Sequence, residues 1–191
     1  MSVPDAVRER QSLCDDALAA GPDASTLCEG WTVRDLLVHL VRRDGGRRRD
    51  LAGLPFDALV KRFRSGPPAF SPARWAPIDA LMNGAEFYVH HEDVRRAQPG
   101  WEPRDVPRAQ SDALWRMLKL TGRFAYRKAG VGVVVVTPEG PRTVLRSAPT
   151  AVTLTGPVQE LVLHSFGRRS RARVEVGGVP SAVAAFERAY P

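Results

Sequence analysis

The side chains best suited to chemistry in this chain are concentrated in one run, Gly84 to Ala97. Within it, Glu86 and His90 are four residues apart, and Asp93 follows three residues later. In a helix of 3.6 residues per turn, these three side chains project within a narrow sector. Carboxylate and imidazole groups on one helical face can bind a divalent metal ion or transfer protons. This run is therefore the first candidate for a functional site.

An apolar stripe lies directly beside this polar sector on a helical wheel. It consists of Leu81, Met82, Ala85 and Val89. Glu86 and His90 are thus predicted at the edge of a buried face, where an unpaired carboxylate is costly. His91 projects to nearly the opposite side, so we assign His90 to the site.

Glu86 and His90 supply two ligands, whereas a catalytic zinc usually has three protein ligands and one open position. The chain has four histidines in all, and His39 lies on the segment with the strongest helix start. We select His39 as the candidate third ligand. Asp35, one turn before His39, is predicted to orient its imidazole, and Asp93 is predicted to support the ligands in a similar way.

Length and composition are those of a globular protein. The chain has 191 residues, of which 43% are hydrophobic and 26% charged, enough for one ordinary core or a domain with a small appendage. We find no apolar signal region and no apolar run long enough to cross a bilayer. Cys14 and Cys28 lack zinc-knuckle spacing, so we interpret them as partly buried small residues without chemistry. We expect a cytoplasmic protein with no membrane partner.

The net charge of +7 comes from 28 basic and 21 acidic residues. One dense cluster follows a predicted helix and contains Arg42, Arg43, Arg47, Arg48 and Arg49. Cations are favoured at a helix C-terminus, so a solvated helix end is the simplest interpretation. Because no aromatic residues interleave to stack on bases, nucleic acid is a disfavoured partner. A patch that binds an anionic small molecule or thiol, formed by Arg42 and Arg43, is preferred to it.

Four main helices are predicted from apolar spacing and terminal signals: residues 4–20, 32 to about 45, about 79–98 and about 107–128. Thr32 and Asp35 fit a capping box, with Trp31 and Leu36 in the positions of a hydrophobic staple. Together these helices predict a four-helix bundle over residues 1–130.

The segment between residues 51 and 77 has five prolines and two glycines, which break regular structure except for a short helix near 57–63. A segment of this kind is either a lid or binding wall or a plain surface connection. Arg74 and Trp75 are its best candidates for contacting a ligand.

After Gly130 the pattern changes from helical to extended. Strands are predicted at 131–137, 143–146, 151–155 and 173–176, with a short helix after Gly156–Pro157 and a closing helix at 181–190. Residues 131–191 are therefore predicted to form a small α+β domain, with His164 packed against its sheet.

Two segments together carry a family resemblance: Thr26–Leu40, which contains Gly-Trp-Thr-Val-Arg-Asp-Leu-Leu-Val-His, and Glu86–Asp93. The chain resembles the mycothiol-dependent maleylpyruvate isomerase family, which belongs to the DinB-like metal-binding bundles. The resemblance extends over most of the chain, since the Gly156–Leu163 segment and the closing helix are also similar.

The resemblance implies a mainly α protein with a DinB-like four-helix bundle and a small C-terminal α+β domain. It also implies a divalent metal, zinc first and nickel or iron next, bound through His39, Glu86 and His90. Family members use a low-molecular-weight thiol such as mycothiol on that metal. An isomerase or transferase acting on a small electrophilic substrate would follow, because a metal lowers the pKa of a bound thiol.

Two other functions stay open at this point. Activation of water instead of a thiol would make the protein a metal-dependent hydrolase. A metal-binding or ligand-binding regulator without turnover is the non-enzymatic alternative. The sequence does not distinguish a monomer from a homodimer.

Overall fold

The structure, a computed structural model, describes residues 3–45, 51, 53–67 and 77–190. It is mainly helical with one small four-stranded sheet, which confirms the predicted class. The chain forms two compact units, Met1–Arg104 and Asp105–Pro191. None of the helices in the described ranges combines the length and the apolar character needed to cross a membrane.

The first unit contains the helices α1 (Val3–Ala20), α2 (Val33–Arg43), α3 (Phe56–Arg64) and α4 (Pro77–Arg95). Helix α1 packs along α4, and α3 packs against both α1 and α2. Their shared core consists mainly of Leu13, Cys14, Ala17, Val33, Leu36, Leu37, Leu40, Val41, Leu59, Val60, Phe63, Phe87 and Val94. Cys14 is therefore a buried apolar residue, as predicted, and burial raises the pKa of its thiol to about 11.

Helix α2 begins as its sequence predicts. The Asp35 backbone N–H donates to Thr32 Oγ1 at 3.2 Å, and the Thr32 backbone N–H donates to Asp35 Oδ2 at 3.0 Å, which completes a capping box. The predicted apolar stripe of α2 is buried. Because the cap and the stripe together fix where α2 starts and which face it buries, they also fix the direction of His39.

Helix α4 is buried on most sides from Ala85 onward, including its residues His91, Glu92 and Asp93. His91 contacts Glu9 and Asp16 of α1, each at 2.7 Å. These three residues belong to a larger set of paired charged groups, which we call the ionic cluster. It comprises Glu9, Asp16, His91, Glu92, Arg95, Arg96 and Arg104. Buried charges are tolerated only when paired, so the cluster fixes the rotation of α4 against α1.

The second unit begins with α5 (Arg108–Ala125), which is the predicted helix at 107–128. This helix packs on α6 (Val158–Ser165) and strand β2 (Arg142–Arg146), so it is grouped with the sheet, and the predicted boundary at residue 130 falls inside this unit. A Cβ on Gly122 would lie 2.7 Å from Leu145 Cδ1, so glycine permits this close helix–sheet approach.

The sheet has the order β2-β1-β3-β4, with β1 (Gly132–Val136), β3 (Ala151–Thr155) and β4 (Glu175–Gly178). Strand β1 is antiparallel to β2 and parallel to β3, and β4 is antiparallel to β3. The valine-rich β1 is an inner strand with neighbours on both edges, and four of its five residues are buried. A short 3₁₀ helix (Arg169–Arg171) precedes β4, and α7 (Pro180–Ala189) closes the chain.

His164 lies on α6 within the buried part of this unit. Its Nδ1 lies at hydrogen-bond distance, 2.7 Å, from the Tyr126 hydroxyl, and its ring stacks on Phe186 of α7. Burial lowers the pKa of His164 to about 4, so the ring is neutral and structural.

Candidate metal centre

Three predicted ligands from two helices converge in the first unit. His39 on α2 has its Nε2 atom 3.5 Å from Glu86 Oε1 on α4, and His90 Nε2 lies 3.7 Å from the same oxygen. One ligand atom from each of the three residues lies within 4.8 Å of the other two. The structure thus brings together side chains that are 47 positions apart in the sequence.

The spacing of these atoms suits a tetrahedral ion. Ligand atoms about 2.0–2.1 Å from zinc are roughly 3.3 Å apart in tetrahedral geometry. The two distances in the structure are close to that value and need only small side-chain adjustments. Two imidazoles and one carboxylate are also a donor set suited to zinc and to other late divalent metals. The residues present therefore fit a divalent cation.

The far nitrogen of His90 is held by a buried carboxylate. His90 Nδ1 lies 3.0 Å from Asp93 Oδ2, and the Asp93 side chain is fully buried. Cys28, in the turn before α2, places its Sγ 3.1 Å from the same carboxylate oxygen. A histidine ligand with its second nitrogen hydrogen-bonded to a carboxylate is fixed in tautomer and orientation. Asp93 therefore lies where it can orient the His90 imidazole.

The second oxygen of Glu86 contacts an arginine of α2. Arg43 Nη2 lies 2.6 Å from Glu86 Oε2, while Oε1 faces the two histidines. Its neighbour Arg42 is exposed on the last turn of α2. Of the two arginines predicted to bind an anionic ligand, Arg43 therefore lies at the site as a partner of Glu86.

Asp35 is placed elsewhere than predicted. Its carboxylate accepts hydrogen bonds from the Thr32 backbone N–H and, at 2.7 Å, from Thr32 Oγ1. It forms no hydrogen bond or ion pair with His39 in the structure, because the capping box directs it toward the helix start. Arg74 and Trp75, the other predicted binding residues, lie outside the described residues.

Two residues near the site were not predicted there. The Trp31 ring, considered only as a helix staple, lies 5.1 Å from the His39 ring and is 37% exposed. Cys28 was assigned no chemistry, yet it contacts Asp93 and lies near His90. No local signal could have placed Cys28 here, since its partner is 65 positions away.

The charges around the site determine which protonation state each candidate ligand favours. Burial opposes ionisation of Glu86, but His90 and Arg43 lower its pKa, so it stays a carboxylate. Burial and the neighbouring His90 lower the pKa of His39, which favours a neutral imidazole. Burial disfavours charge on His90, yet the neighbouring Asp93, Cys28 and Glu86 side chains raise its pKa to about 10. Metal binding at His90 must therefore displace a proton.

Comparison with solved structures identifies the fold. The chain is similar to the crystal structure of the mycothiol-dependent maleylpyruvate isomerase, with a TM-score of 0.61 and 18% sequence identity over 94% of this chain and 95% of that one. A histidine-to-alanine mutant of that enzyme has a TM-score of 0.56 at the same identity and coverage. The resemblance is confirmed for the overall fold, a mainly helical chain with a small sheet.

Comparisons at the sequence level give no match. No protein-family model matches the chain, and no curated protein matches it significantly. At 18% identity, the structural similarity concerns the fold, and the chemistry must be argued from the side chains.

Proposed function

We propose that this protein is a metal-dependent enzyme that uses a low-molecular-weight thiol, such as mycothiol, to isomerise or transfer a group on a small electrophilic substrate. The observation that carries the proposal is the convergence of His39, Glu86 and His90 from two helices. The side chain of His39 is 35% exposed, so a small molecule can reach this group of ligands. The fold shared with a solved mycothiol-dependent isomerase supports the choice of reaction class.

The helices of the first unit are proposed to be the DinB-like metal-binding bundle. His39, Glu86 and His90 would hold the ion, with zinc the first choice and nickel or ferrous iron next. Three protein ligands with one negative charge leave a divalent site net positive, which favours an anionic fourth ligand. A bound cation would supply a Lewis acid that lowers the pKa of a thiol near it.

The side chains around the ligands have distinct parts in this proposal. Asp93 holds His90 Nδ1, so that Nε2 is directed at Glu86. Arg43 holds Glu86 Oε2, which leaves Oε1 directed at the histidines. Trp31, exposed beside His39, offers an apolar wall for a substrate or thiol. Arg42, Arg74 and Trp75 remain proposed contacts for anionic groups.

The cell compartment follows from the cosubstrate. Small thiols are kept reduced in the cytosol, so the proposal places the protein in the cytoplasm. Nucleic acid and membranes are not partners in this proposal.

The test couples metal analysis to thiol titration. The purified protein should contain about one divalent ion per chain. In the cobalt form, adding mycothiol or a surrogate thiol near neutral pH should produce a sulfur-to-cobalt charge-transfer band. His39→Ala should lose both the ion and the band while keeping its helical circular dichroism.

The possible outcomes separate the functions. Bound cobalt without a band at saturating thiol would eliminate the thiol mechanism and leave a hydrolase or a regulator. Ester or amide hydrolysis by the metal form without thiol would then identify the hydrolase. Unchanged metal content in His39→Ala would show that the ion binds elsewhere.

A further inference from the structure

The turn before α2 is fastened to α4 through Asp93. The Leu27 backbone N–H donates to the Asp93 carbonyl oxygen at 3.0 Å. The next residue, Cys28, places its thiol 3.1 Å from the Asp93 carboxylate. The turn is closed internally, because the Thr26 N–H donates to the Trp31 carbonyl oxygen at 3.1 Å. This attachment joins the segment that leads into α2 to the helix that carries two of the three ligands.

A single carboxylate oxygen receives both of the contacts that matter here. Asp93 Oδ2 lies 3.1 Å from Cys28 Sγ and 3.0 Å from His90 Nδ1. The Asp93 side chain is fully buried, so its orientation is set by the groups that donate to it. These two donors approach from different elements, the turn and the helix. Removing one of them would weaken the restraint that keeps the carboxylate in line with the other.

We propose that Cys28 is a positioning residue of the metal centre. Its thiol donates to Asp93 Oδ2 and holds that carboxylate in line with His90 Nδ1–H, which keeps His90 Nε2 directed at Glu86 and His39. The inference rests on the proposed metal centre and extends it. In metalloproteins generally, replacing a residue that hydrogen-bonds to the metal ligands changes the metal affinity about 10–100-fold.

Cys28, His90 and Asp93 also form a set of groups that could themselves bind an ion. The distances favour hydrogen bonding instead. Both contacts of Asp93 Oδ2 are at hydrogen-bond length, and Cys28 Sγ is farther from His90 Nδ1, at 3.8 Å. His90 Nδ1 cannot donate to Asp93 and bind an ion at once, and His90 Nε2 already faces Glu86.

Cobalt titration of the full chain without added thiol tests this role. The wild type is expected to bind one ion per chain with no sulfur-to-cobalt band. Cys28→Ala should bind cobalt about tenfold more weakly, and Cys28→Ser, which keeps a donor, should recover most of that loss. Glu29→Ala, an exposed change in the same turn, is the matched control and should bind as the wild type does.

Two results of this titration would overturn the proposal. A sulfur-to-cobalt band in the wild type without thiol would make Cys28 a ligand. Equal affinities of the wild type and Cys28→Ala would remove its positioning role. Should Cys28→Ala fold poorly, Cys28→Val keeps the side-chain volume without the donor and should show the same weakening.

A second measurement does not depend on metal binding. The His90 Nδ1–H proton is followed by NMR in metal-free protein at one fixed pH and is assigned by its loss in His90→Gln. Cys28→Ala and Cys28→Val should exchange this proton with water several-fold faster than the wild type, with Cys28→Ser intermediate. Identical exchange in all variants would contradict the role of Cys28. If the wild type binds no cobalt, the proposed function is wrong. The exchange rates still test whether Cys28 orients Asp93 toward His90.

Discussion

His90 and His91 are neighbours on α4 and lie in opposite kinds of surroundings. His90 faces α2, and its Nε2 lies near Glu86 of α4, which in turn lies near the partly exposed His39 of α2. His91 faces α1, where Glu9 and Asp16 each contact one of its nitrogens at 2.7 Å. Both rings contact carboxylates, but among the described residues only His90 belongs to a group whose potential ligand atoms all lie within 4.8 Å of one another.

The difference lies in how closely the charged groups around each histidine are paired. In the ionic cluster, Glu92 contacts Arg95 at 2.8 Å, Arg96 at 2.5 Å and Arg104 at 2.6 Å. A set of charges that satisfy one another in this way has no remaining capacity for a ligand. At the candidate metal centre, by contrast, Glu86 Oε1 lies 3.5 Å from His39 Nε2 and 3.7 Å from His90 Nε2, farther than Glu92 lies from its arginines.

The largest effect is expected from breaking the ionic cluster. Glu92→Ala leaves the fully buried Arg96 without this carboxylate, and removing one partner of a buried ion pair costs about 3–5 kcal/mol. Urea unfolding should show the loss in the free energy of unfolding. Glu29→Ala, at an exposed carboxylate, should change it by less than about 0.5 kcal/mol. A similarly small effect of Glu92→Ala would show that the cluster is not stabilising.

Acid should weaken the same cluster through Glu9. Burial favours its protonated form, but His91 and Arg104 lower the pKa of Glu9 from 4.5 to about 2. A lowered folded-state pKa gives stability that is present above pH 4.5 and is lost as the pH falls toward 2, on the order of 3 kcal/mol in all. Unfolding measured across this range should show the slope, and Glu9→Gln should flatten it. A slope of equal size in Glu9→Gln would assign it to other carboxylates.

Alkali should act on the cluster with the opposite sign through His91. Burial opposes its charge, but hydrogen bonds to Asp16 and Glu9 raise the pKa of His91 above 6.5. The stability it contributes is fully present below pH 6.5 and is lost as the pH rises through the raised value. The cluster should therefore be most stable between about pH 4.5 and 6.5, and His91→Gln should remove the decline on the alkaline side.

The metal centre should respond to substitution in the opposite way from the cluster. His39→Ala is expected to weaken metal binding by more than about 100-fold, which exceeds the effect of residues that only hydrogen-bond to a ligand. The variant should lose little stability, because the His39 ring is partly exposed. His91→Gln should lose stability and still bind one ion per folded chain. Measuring the metal content and the free energy of unfolding of both variants tests both expectations. Metal loss in His91→Gln would erase the distinction between the two histidines.

The smallest effect is expected at Arg43. This side chain is 47% exposed, so its ion pair with Glu86 contributes at most about 1 kcal/mol. Arg43→Ala should lower metal affinity about fivefold or less, because Glu86 loses the partner that orients it. Arg42→Ala, the adjacent exposed arginine, should leave the affinity unchanged. Equal effects of the two substitutions would point to general charge rather than to the contact with Glu86.

Local patterns determined much of this protein. The capping box of Thr32 and Asp35, the buried stripe of α2 and the strand Ala151–Thr155 are where the sequence predicts them. The selection of His39, Glu86 and His90 also came from the sequence, through helical spacing, a count of histidines and a family resemblance. These features depend on residues a few positions apart or on motifs, which the chain carries regardless of how its helices pack.

Only the tertiary structure decided the contacts between distant segments. The contact of Cys28 with Asp93, that of Arg43 with Glu86 and the pairing of His91 with α1 have no periodic signal in the sequence. The grouping of α5 with the sheet likewise depends on the packing of Gly122 against Leu145. Which side chains meet across 40 or more positions depends on the rotation and separation of packed helices. Those quantities are set by the whole core rather than by any one segment.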